Sequence, residues 1–174
     1  MNILGINSVY HESSAALTID GEVVAACEEE RFTRIQHAKL ALPDNPHELP
    51  ENAIRFCLDH AGMRADEIDR VAYSFDPKLR RTTFRADWWP DSRLEHTFLQ
   101  KLDEVGDVAG RVLGRKLGRA MKFVPHHLAH AASAYYPSGL DPAAILIIDG
   151  IGEAACSTLG RGDGTRIRTL ETFS

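Results

Sequence analysis

The first 30 residues alternate between apolar and polar positions in three short runs, which predicts three β-strands. The runs cover residues 2–7, 13–19 and 22–28. Asp20 and Gly21 separate the second run from the third, and such a pair favours a two-residue hairpin turn. The second and third strands are therefore predicted to be antiparallel neighbours.

The chain then changes to helical spacing. Ile54, Cys57, Leu58 and Ala61 fall on one face of a helix. Gly62 follows them and is a natural point for the helix to stop. An amphipathic helix is therefore predicted to end at this glycine.

The next stretch is less regular. Alternation over residues 71–75 predicts another strand, and residues 77–92, with several arginines and two tryptophans, are interpreted as an irregular surface segment. Apolar residues then recur every three to five positions from 94 to 117. This spacing predicts one long helix or two helices that break near residues 106–110.

The end of the chain repeats the order of its beginning. After a short strand over 121–124 and a helix over 126–136, an apolar strand at 145–148 leads into a turn. Strands over 153–160 and 165–172 follow, with an Asp-Gly pair between them. Repetition of such a unit is typical of a fold built from two similar lobes.

This order predicts an α/β protein with a mixed sheet and flanking helices. The first lobe would cover residues 1–142 as β-β-β-α-β-α-β-α, and residues 143–174 would open a second, truncated lobe. A duplicated, ribonuclease H-like lobe of this kind is the architecture of actin, sugar kinases and Hsp70 (the ASKHA fold), in which ligands bind between the lobes. The turns at 8–13 and 149–153 are expected to face that cleft.

Composition narrows the class of protein. Of 174 residues, 44% are hydrophobic and 26% are charged, which is typical of a folded globular domain. The net charge of −5 argues against a nucleic-acid-binding protein, and three scattered cysteines argue against a disulfide scaffold. With no leader or membrane-spanning run recognised, we expect a cytoplasmic protein without nucleic-acid or membrane partners.

A cluster of histidines is the strongest candidate for chemistry. Three of the eight histidines, His126, His127 and His130, lie within five positions of a predicted helix. His126 and His130 share a face, and so do His127 and His130, so either pair could chelate a divalent metal from one rigid element. The alternative is that these are ordinary histidines at the start of a helix.

Asp149 is the best candidate for a third metal ligand. It ends a strongly apolar strand, where an unpaired carboxylate is costly. Two histidines and an aspartate with open positions would resemble a facial-triad metal site. The alternative is that Asp149 accepts backbone N–H bonds in its own turn.

Small residues in the two turns are candidates for binding phosphate. Gly150 and Gly152 would let the backbone N–H groups approach an anion, although Asp-Gly-X-Gly is also an ordinary turn. Ser13 and Ser14 could bind phosphate oxygens or simply begin a strand.

Two further groups of residues have both a functional and an ordinary interpretation. His11, in the first of the two turns, is a possible general base for a hydroxyl, or a turn histidine bonded to a neighbour. Arg31 and Arg34, in a run of charges, could face an anionic substrate or belong to a solvated segment with local ion pairs.

Four motifs together resemble the carbamoyltransferase family that includes nodulation and antibiotic-tailoring O-carbamoyltransferases. They are, in chain order, Tyr10-His11-Glu12-Ser13-Ser14-Ala15-Ala16, Glu29-Glu30-Arg31-Phe32-Thr33-Arg34, His126-His127-Leu128-Ala129-His130-Ala131 and Asp149-Gly150-Ile151-Gly152-Glu153. The resemblance covers essentially all of the chain.

The resemblance implies a two-lobed ASKHA domain, similar to the universal tRNA threonylcarbamoyladenosine transferase, followed by a YrdC-like domain. In such enzymes the YrdC-like part makes carbamoyl-adenylate from carbamoyl phosphate and ATP with magnesium. The ASKHA-like part transfers the carbamoyl group to a hydroxyl of a small molecule, such as a natural product or a sugar. The resemblance implies a divalent metal, iron(II), held by His126, His130 and Asp149, and places His11 beside the transferred group.

Family members are several times longer than this chain. The resemblance therefore implies an N-terminal portion that lacks most of the second lobe, with its last metal ligand, and the YrdC-like domain, and that is inactive alone. Two alternatives stay open: a relative of the tRNA-modifying threonylcarbamoyl transferases, and a non-catalytic half-lobe that binds a partner chain. The exposed edge of the second sheet is expected to favour self-association.

Overall fold

The computed structural model describes residues 1–10, 12–38, 45–84 and 92–174. His11, the candidate general base, and residues 85–91 of the segment interpreted as irregular lie outside the described residues. The chain divides into two compact units, Met1–Ser74 with Trp89–Phe123, and Phe75–Trp88 with Val124–Ser174. The lobe boundary after residue 142 stays a prediction.

The described part of the first unit contains a five-stranded mixed sheet. Its order is β3-β2-β1-β4-β5, with β1 antiparallel to β2 and parallel to β4. The strands are β1 (Asn2–Asn7), β2 (Ser14–Ile19), β3 (Glu22–Glu28), β4 (Arg70–Tyr73) and β5 (Met121–Phe123). The predicted hairpin of β2 and β3 is confirmed. Asp20 and Gly21 make its turn with φ values of 51° and 94°, a left-handed pair that Asp-Gly readily adopts.

The described residues form five α-helices. They are α1 (Glu30–Thr33), α2 (Glu51–Ala61), α3 (Pro77–Thr83), α4 (Ser92–Val112) and α5 (His126–Ser138). Helix α2 buries Ala53, Ile54 and Cys57 and packs on β2 and β3. It ends where the sequence predicts, at Gly62, whose φ of 62° suits a residue without a side chain.

Helix α4 resolves the choice between one helix and two. It continues through Gly106 to Val112, with Leu102 and Val105 fully buried on its apolar face. Burial of this face outweighs the cost of glycine in a helix, about 1 kcal/mol relative to alanine. The sequence alone could not weigh these two terms against each other.

The second unit contains the antiparallel sheet β6-β7-β8. Its strands are β6 (Ala143–Ile148), β7 (Ser157–Asp163) and β8 (Arg166–Phe173). This meander repeats the antiparallel opening of the first unit, as predicted. Strand β7 begins at Ser157 and not at residue 153, because backbone bonds from Asp149 N to Cys156 O and from Gly152 N to Ala155 O, both 2.8 Å, close a turn there.

Helix α5 packs on one face of this second sheet. Ala131 and Tyr135 of the helix form a core with Ile145 and Ile147 of β6. The alternate residues of β6 face away, and Leu146 and Ile148 are 65% and 78% exposed. The sheet therefore presents an apolar face, and the predicted self-association stays a prediction.

The expectation for residues 77–83 is also wrong. Residues 77–83 form helix α3 and not an irregular surface segment. The Asp76 carboxylate accepts bonds from Lys78 N and Leu79 N, at 2.9 and 3.1 Å, and Pro77 occupies the first turn, where its missing N–H costs nothing. Arg80 of this helix is buried, at 3% exposed.

Within the described ranges, no helix is both long enough and apolar enough to cross a membrane. The compartment of the protein stays a prediction.

Candidate metal centre

Three side chains converge on one point in the second unit. The Nε2 atom of His126 lies 3.0 Å from Oδ2 of Asp149 and 3.1 Å from Nε2 of His130. The third side of the triangle, His130 Nε2 to Asp149 Oδ2, is 3.3 Å. The structure therefore brings together the three residues that the family resemblance implied as metal ligands.

The local fold explains this convergence. His127, Ala131 and Tyr135 are the buried residues of α5, spaced four apart. His126 and His130 each stand one position before a buried residue, His127 or Ala131. Their side chains therefore lie at the edge of the buried face of α5. Asp149 follows Ile145 and Ile147 at the same two-residue spacing, so it continues the inward face of β6.

The two oxygens of Asp149 have separate partners. Oδ1 accepts a bond of 2.6 Å from Gly150 N, and Oδ2 faces the two histidines. The carboxylate thus accepts a bond within its turn, as one interpretation held, and also joins the cluster. Burial alone would raise the pKa of Asp149, but the Gly150 N–H and the positive potential of His126 and His130 outweigh it, so the pKa lies below its ordinary value.

The triangle has the dimensions of a metal site. Two ligands at about 2.1 Å from one ion and at right angles to each other lie about 3.0 Å apart. The three measured separations, 3.0, 3.1 and 3.3 Å, are close to that value. Two imidazoles and one carboxylate are the donor set of facial-triad iron(II) sites.

Hydrogen bonds can join these side chains when one Nε2 atom carries its proton and the other, in the opposite tautomer, accepts it. A cation is the alternative partner, which the lone pairs of all three side chains can share. The side chains of His126, Asp149 and His130 are 12%, 27% and 48% exposed, so the point between them is open on one side.

His127 has a different environment from its two neighbours. Its Nδ1 atom lies 2.7 Å from the hydroxyl of Thr158, and its Nε2 atom is 3.9 Å from Asp149 Oδ2. Nε2 is buried without a hydrogen-bond partner among the described residues. Burial and the nearby His126 lower the pKa of His127, which keeps the ring neutral.

Close packing against His127 leaves little space for a side chain at Gly152. A Cβ atom at this position would lie 3.1 Å from Cδ2 and 3.2 Å from Nε2 of His127. A Cβ at Gly150 would meet nothing within 4 Å. Of the two glycines predicted to let a phosphate approach, only Gly150 has open space around it, and both assignments stay predictions.

The other predicted site residues lie in the first unit. The Ser13 hydroxyl is buried and donates to Glu48 O at 3.0 Å, whereas Ser14 begins β2 opposite Glu28. Arg31 is exposed and pairs with Glu28 at 2.5 Å, and Arg34 ends α1 with a φ of 58°. Their predicted roles in binding phosphate or substrate stay predictions.

Sequence reasoning missed two buried residues that are bonded beside the candidate metal ligands, Glu153 and Arg80. The buried carboxylate of Glu153 accepts a bond from His126 N, and the buried Arg80 donates to Glu153 O. Glu153 stands directly after the Asp-Gly-X-Gly turn, but its long-range partners leave no local pattern. Arg80 is one of several arginines in the segment interpreted as irregular.

Known proteins resemble the chain along nearly its whole length. The family model described as Carbamoyltransferase N-terminus matches residues 2–174. The uncharacterized protein sll1178 of Synechocystis sp. is 36% identical over 95% of this chain, and the nodulation protein NolNO of Sinorhizobium fredii is 34% identical over 96%. The chain spans 28% and 23% of the lengths of these two relatives.

Solved structures support the fold alone. YeaZ from Pseudomonas aeruginosa has a TM-score of 0.52 at 16% identity, covering 98% of this chain and 66% of that chain. A second structure, described as similar to peptidase YEAZ from the same organism, has a TM-score of 0.50 at 17% identity, covering 98% and 63%. The predicted α/β, ASKHA fold class is confirmed. With its family model matched from residue 2 to residue 174, the chain belongs to the carbamoyltransferase N-terminus family.

Proposed function

We propose that this chain is the N-terminal portion of a metal-dependent O-carbamoyltransferase. It takes part in moving a carbamoyl group from carbamoyl-adenylate to a hydroxyl of a small molecule, such as a natural product or a sugar. The observation that carries the proposal is the triangle of His126, His130 and Asp149, with sides of 3.0–3.3 Å, in a chain of this family.

The metal proposed is iron(II), which the family resemblance implies and which this donor set can hold. His126 and His130 would hold it through their Nε2 atoms and Asp149 through Oδ2. When bound, such a cation would polarise a carbamoyl or phosphate oxygen and offset the negative charge that develops there during transfer. A further ligand from another part of the protein is compatible with the open side of the site.

The transfer exchanges one bond of the carbamoyl carbon for another. The acceptor hydroxyl oxygen forms a bond to the carbamoyl carbon. The bond between that carbon and the phosphate oxygen of AMP breaks, and AMP leaves with the electron pair. The hydroxyl proton needs a base, and His11 has that role in the proposal because of its place in the Tyr10-His11-Glu12 motif. His11 lies outside the described residues, so the sequence alone supports this assignment.

Phosphate binding is assigned to the turns of the two units. Gly150 is exposed and has open space around its Cα, so an anionic group could approach the backbone at that point. The sequence pattern adds three further residues to the proposed phosphate-binding set, namely Gly152, Ser13 and Ser14.

Formation of carbamoyl-adenylate from carbamoyl phosphate and ATP is assigned to a YrdC-like domain elsewhere in the protein. The two curated relatives are about four times as long as this chain, which leaves room for such a domain. The class of acceptor is taken from the family.

The natural protein in which this chain occurs can test the proposal. It is supplied without oxygen with iron(II), labelled carbamoyl phosphate and ATP, and with glycerol at high concentration as the hydroxyl probe. We expect ATP-dependent labelling of glycerol that His130→Ala abolishes while carbamoyl-adenylate still forms. Labelling at the wild-type rate by His130→Ala would refute the metal-dependent transfer.

A further inference from the structure

Glu153 is a buried carboxylate in the turn that carries Asp149. Only 5% of the surface of this residue is exposed. A buried charge is costly unless it is bonded or paired, by several kcal/mol. The hydrogen bonds that Glu153 makes therefore indicate the role of its carboxylate in the structure.

The Glu153 carboxylate joins the starts of two helices. Oε1 accepts from Asp76 N at 2.8 Å and from His126 N at 2.9 Å, and Oε2 lies 3.1 Å from the same His126 N. Asp76 is the residue that caps α3, and His126 is the first residue of α5. The first N–H groups of a helix have no partner within it and favour a negative charge, so the carboxylate stabilises this helix end.

The backbone of Glu153 is held as well. Nη1 of Arg80 donates to Glu153 O at 2.8 Å, and its guanidinium carbon lies 3.4 Å from the centre of the Phe84 ring. Glu153 is thus fixed through its side chain and through its main chain. Asp149, four residues earlier, belongs to the same turn, which the bond from Asp149 N to Cys156 O closes.

We infer that Glu153 is a positioning residue for the metal centre. Through its bond to His126 N it ties the turn that carries Asp149 to the helix that carries His126 and His130. It thereby sets the separation of the nitrogen and oxygen ligands without touching the metal. This inference rests on the proposed metal site.

Substitutions of Glu153 can distinguish the effect of the position of its oxygens from the effect of its charge. Oε1 alone reaches both N–H groups, so a glutamine with its oxygen in that place keeps both bonds, although its NH2 group then replaces Oε2 at 3.1 Å from the same His126 N. An aspartate keeps the charge but is one methylene shorter and cannot reach both. If position matters, Glu153→Gln is the mild substitution, and Glu153→Asp and Glu153→Ala are the severe ones.

Glu29 offers a matched control in the other unit. It is also 5% exposed, and its carboxylate also accepts N–H bonds at the start of a helix, from Asn52 N at 3.2 Å and Ala53 N at 2.8 Å. Glu29→Ala therefore removes the same kind of bond from α2, which carries none of the three metal ligands.

The test is a titration of the natural protein in which this chain occurs, and of its variants, with Co²⁺ without oxygen, read from the visible absorption of the bound ion. We expect Glu153→Ala and Glu153→Asp to weaken Co²⁺ binding about 10–100-fold, the usual effect of losing a group that orients metal ligands. Glu153→Gln is expected to lose less affinity than either of these variants, and Glu29→Ala to bind with unchanged affinity. Circular dichroism of each variant checks its folding.

The outcomes separate this inference from the proposed function. If the wild-type natural protein binds no Co²⁺, the metal site itself is refuted, and the role of Glu153 with it. If the wild type binds and folded Glu153→Ala binds equally well, the positioning role alone is overturned. An equal loss in Glu29→Ala would also overturn it, because the effect would then reflect general destabilisation. If Glu153→Ala does not fold, Glu153→Asp decides in the same way.

Discussion

Nε2 of His126 lies 3.0 Å from Oδ2 of Asp149, although 23 positions separate the two residues in the sequence. The first belongs to the start of α5 and the second to the end of β6. Packing of α5 on β6, through Tyr135 and Ile147 among others, brings the two ends together. The candidate metal centre is therefore a product of the hydrophobic core of the second unit.

The first prediction concerns the two glycines of the turn after β6. Gly152→Ala forces a methyl group against the His127 ring, which must shift, and we expect a loss of stability of about 1–3 kcal/mol. Gly150→Ala, with open space around it, is the matched control and is expected to change stability little. Chemical denaturation of both variants measures the difference. Equal stability of the two would contradict the packing role of Gly152.

The second prediction concerns His11 in the natural protein. Loss of a general base typically slows a reaction about 10²–10⁴-fold, so we expect His11→Ala to slow carbamoyl transfer by that order. Formation of carbamoyl-adenylate should be retained, because it is assigned to another domain. The two steps are measured separately. An equal loss of both would indicate misfolding or a different role for His11.

The third prediction concerns Asp141, which links α5 to the hairpin of β7 and β8. The Gly164 N–H and the Tyr135 hydroxyl bond to its carboxylate and hold its pKa below the ordinary value of 3.8. The charged form therefore stabilises the fold above that value, and this stabilisation is lost as the pH falls through the lower pKa of the folded state.

The measurement is thermal unfolding of Asp141→Asn at pH 7 and pH 3. We expect a lower melting temperature than the wild type at pH 7 and a smaller difference at pH 3, where the wild-type carboxylate begins to take up a proton. Asp163→Asn, which removes an exposed ion pair with Arg161, controls for the loss of a negative charge. A difference that stays the same at both pH values would refute the role of the charge.

The sequence predicts those features that depend on local spacing. The Asp20-Gly21 hairpin, the end of α2 at Gly62 and the antiparallel meander at the end of the chain are all confirmed. Each rests on turn chemistry or on alternation within about ten residues. Helix α3 was missed although Asp76 and Pro77 are a local start signal for a helix, because its arginines were interpreted as part of a surface segment, whereas Arg80 is buried.

For the candidate site, the spacing of the histidines limits which pairs could bind a metal but does not select one pair. Both His126 and His127 stand at helical distances from His130, so the sequence leaves two pairs open. Burial of Ala131 and Tyr135 turns His127 toward the sheet and leaves His126 at the edge, beside Asp149. Glu153 could not be found in this way, because its partners lie 27 and 77 positions away.

The central claim is that His126, His130 and Asp149 hold a metal ion. Elemental analysis of the natural protein, loaded with iron(II) without oxygen and desalted, tests it most directly beside the variant His126→Ala/His130→Ala. A second variant, His60→Ala/His96→Ala, removes two exposed histidines outside the site and serves as the control. The account predicts iron close to one atom per chain in the wild type and the control, and none in His126→Ala/His130→Ala. Equal iron content in the wild type and His126→Ala/His130→Ala would contradict it.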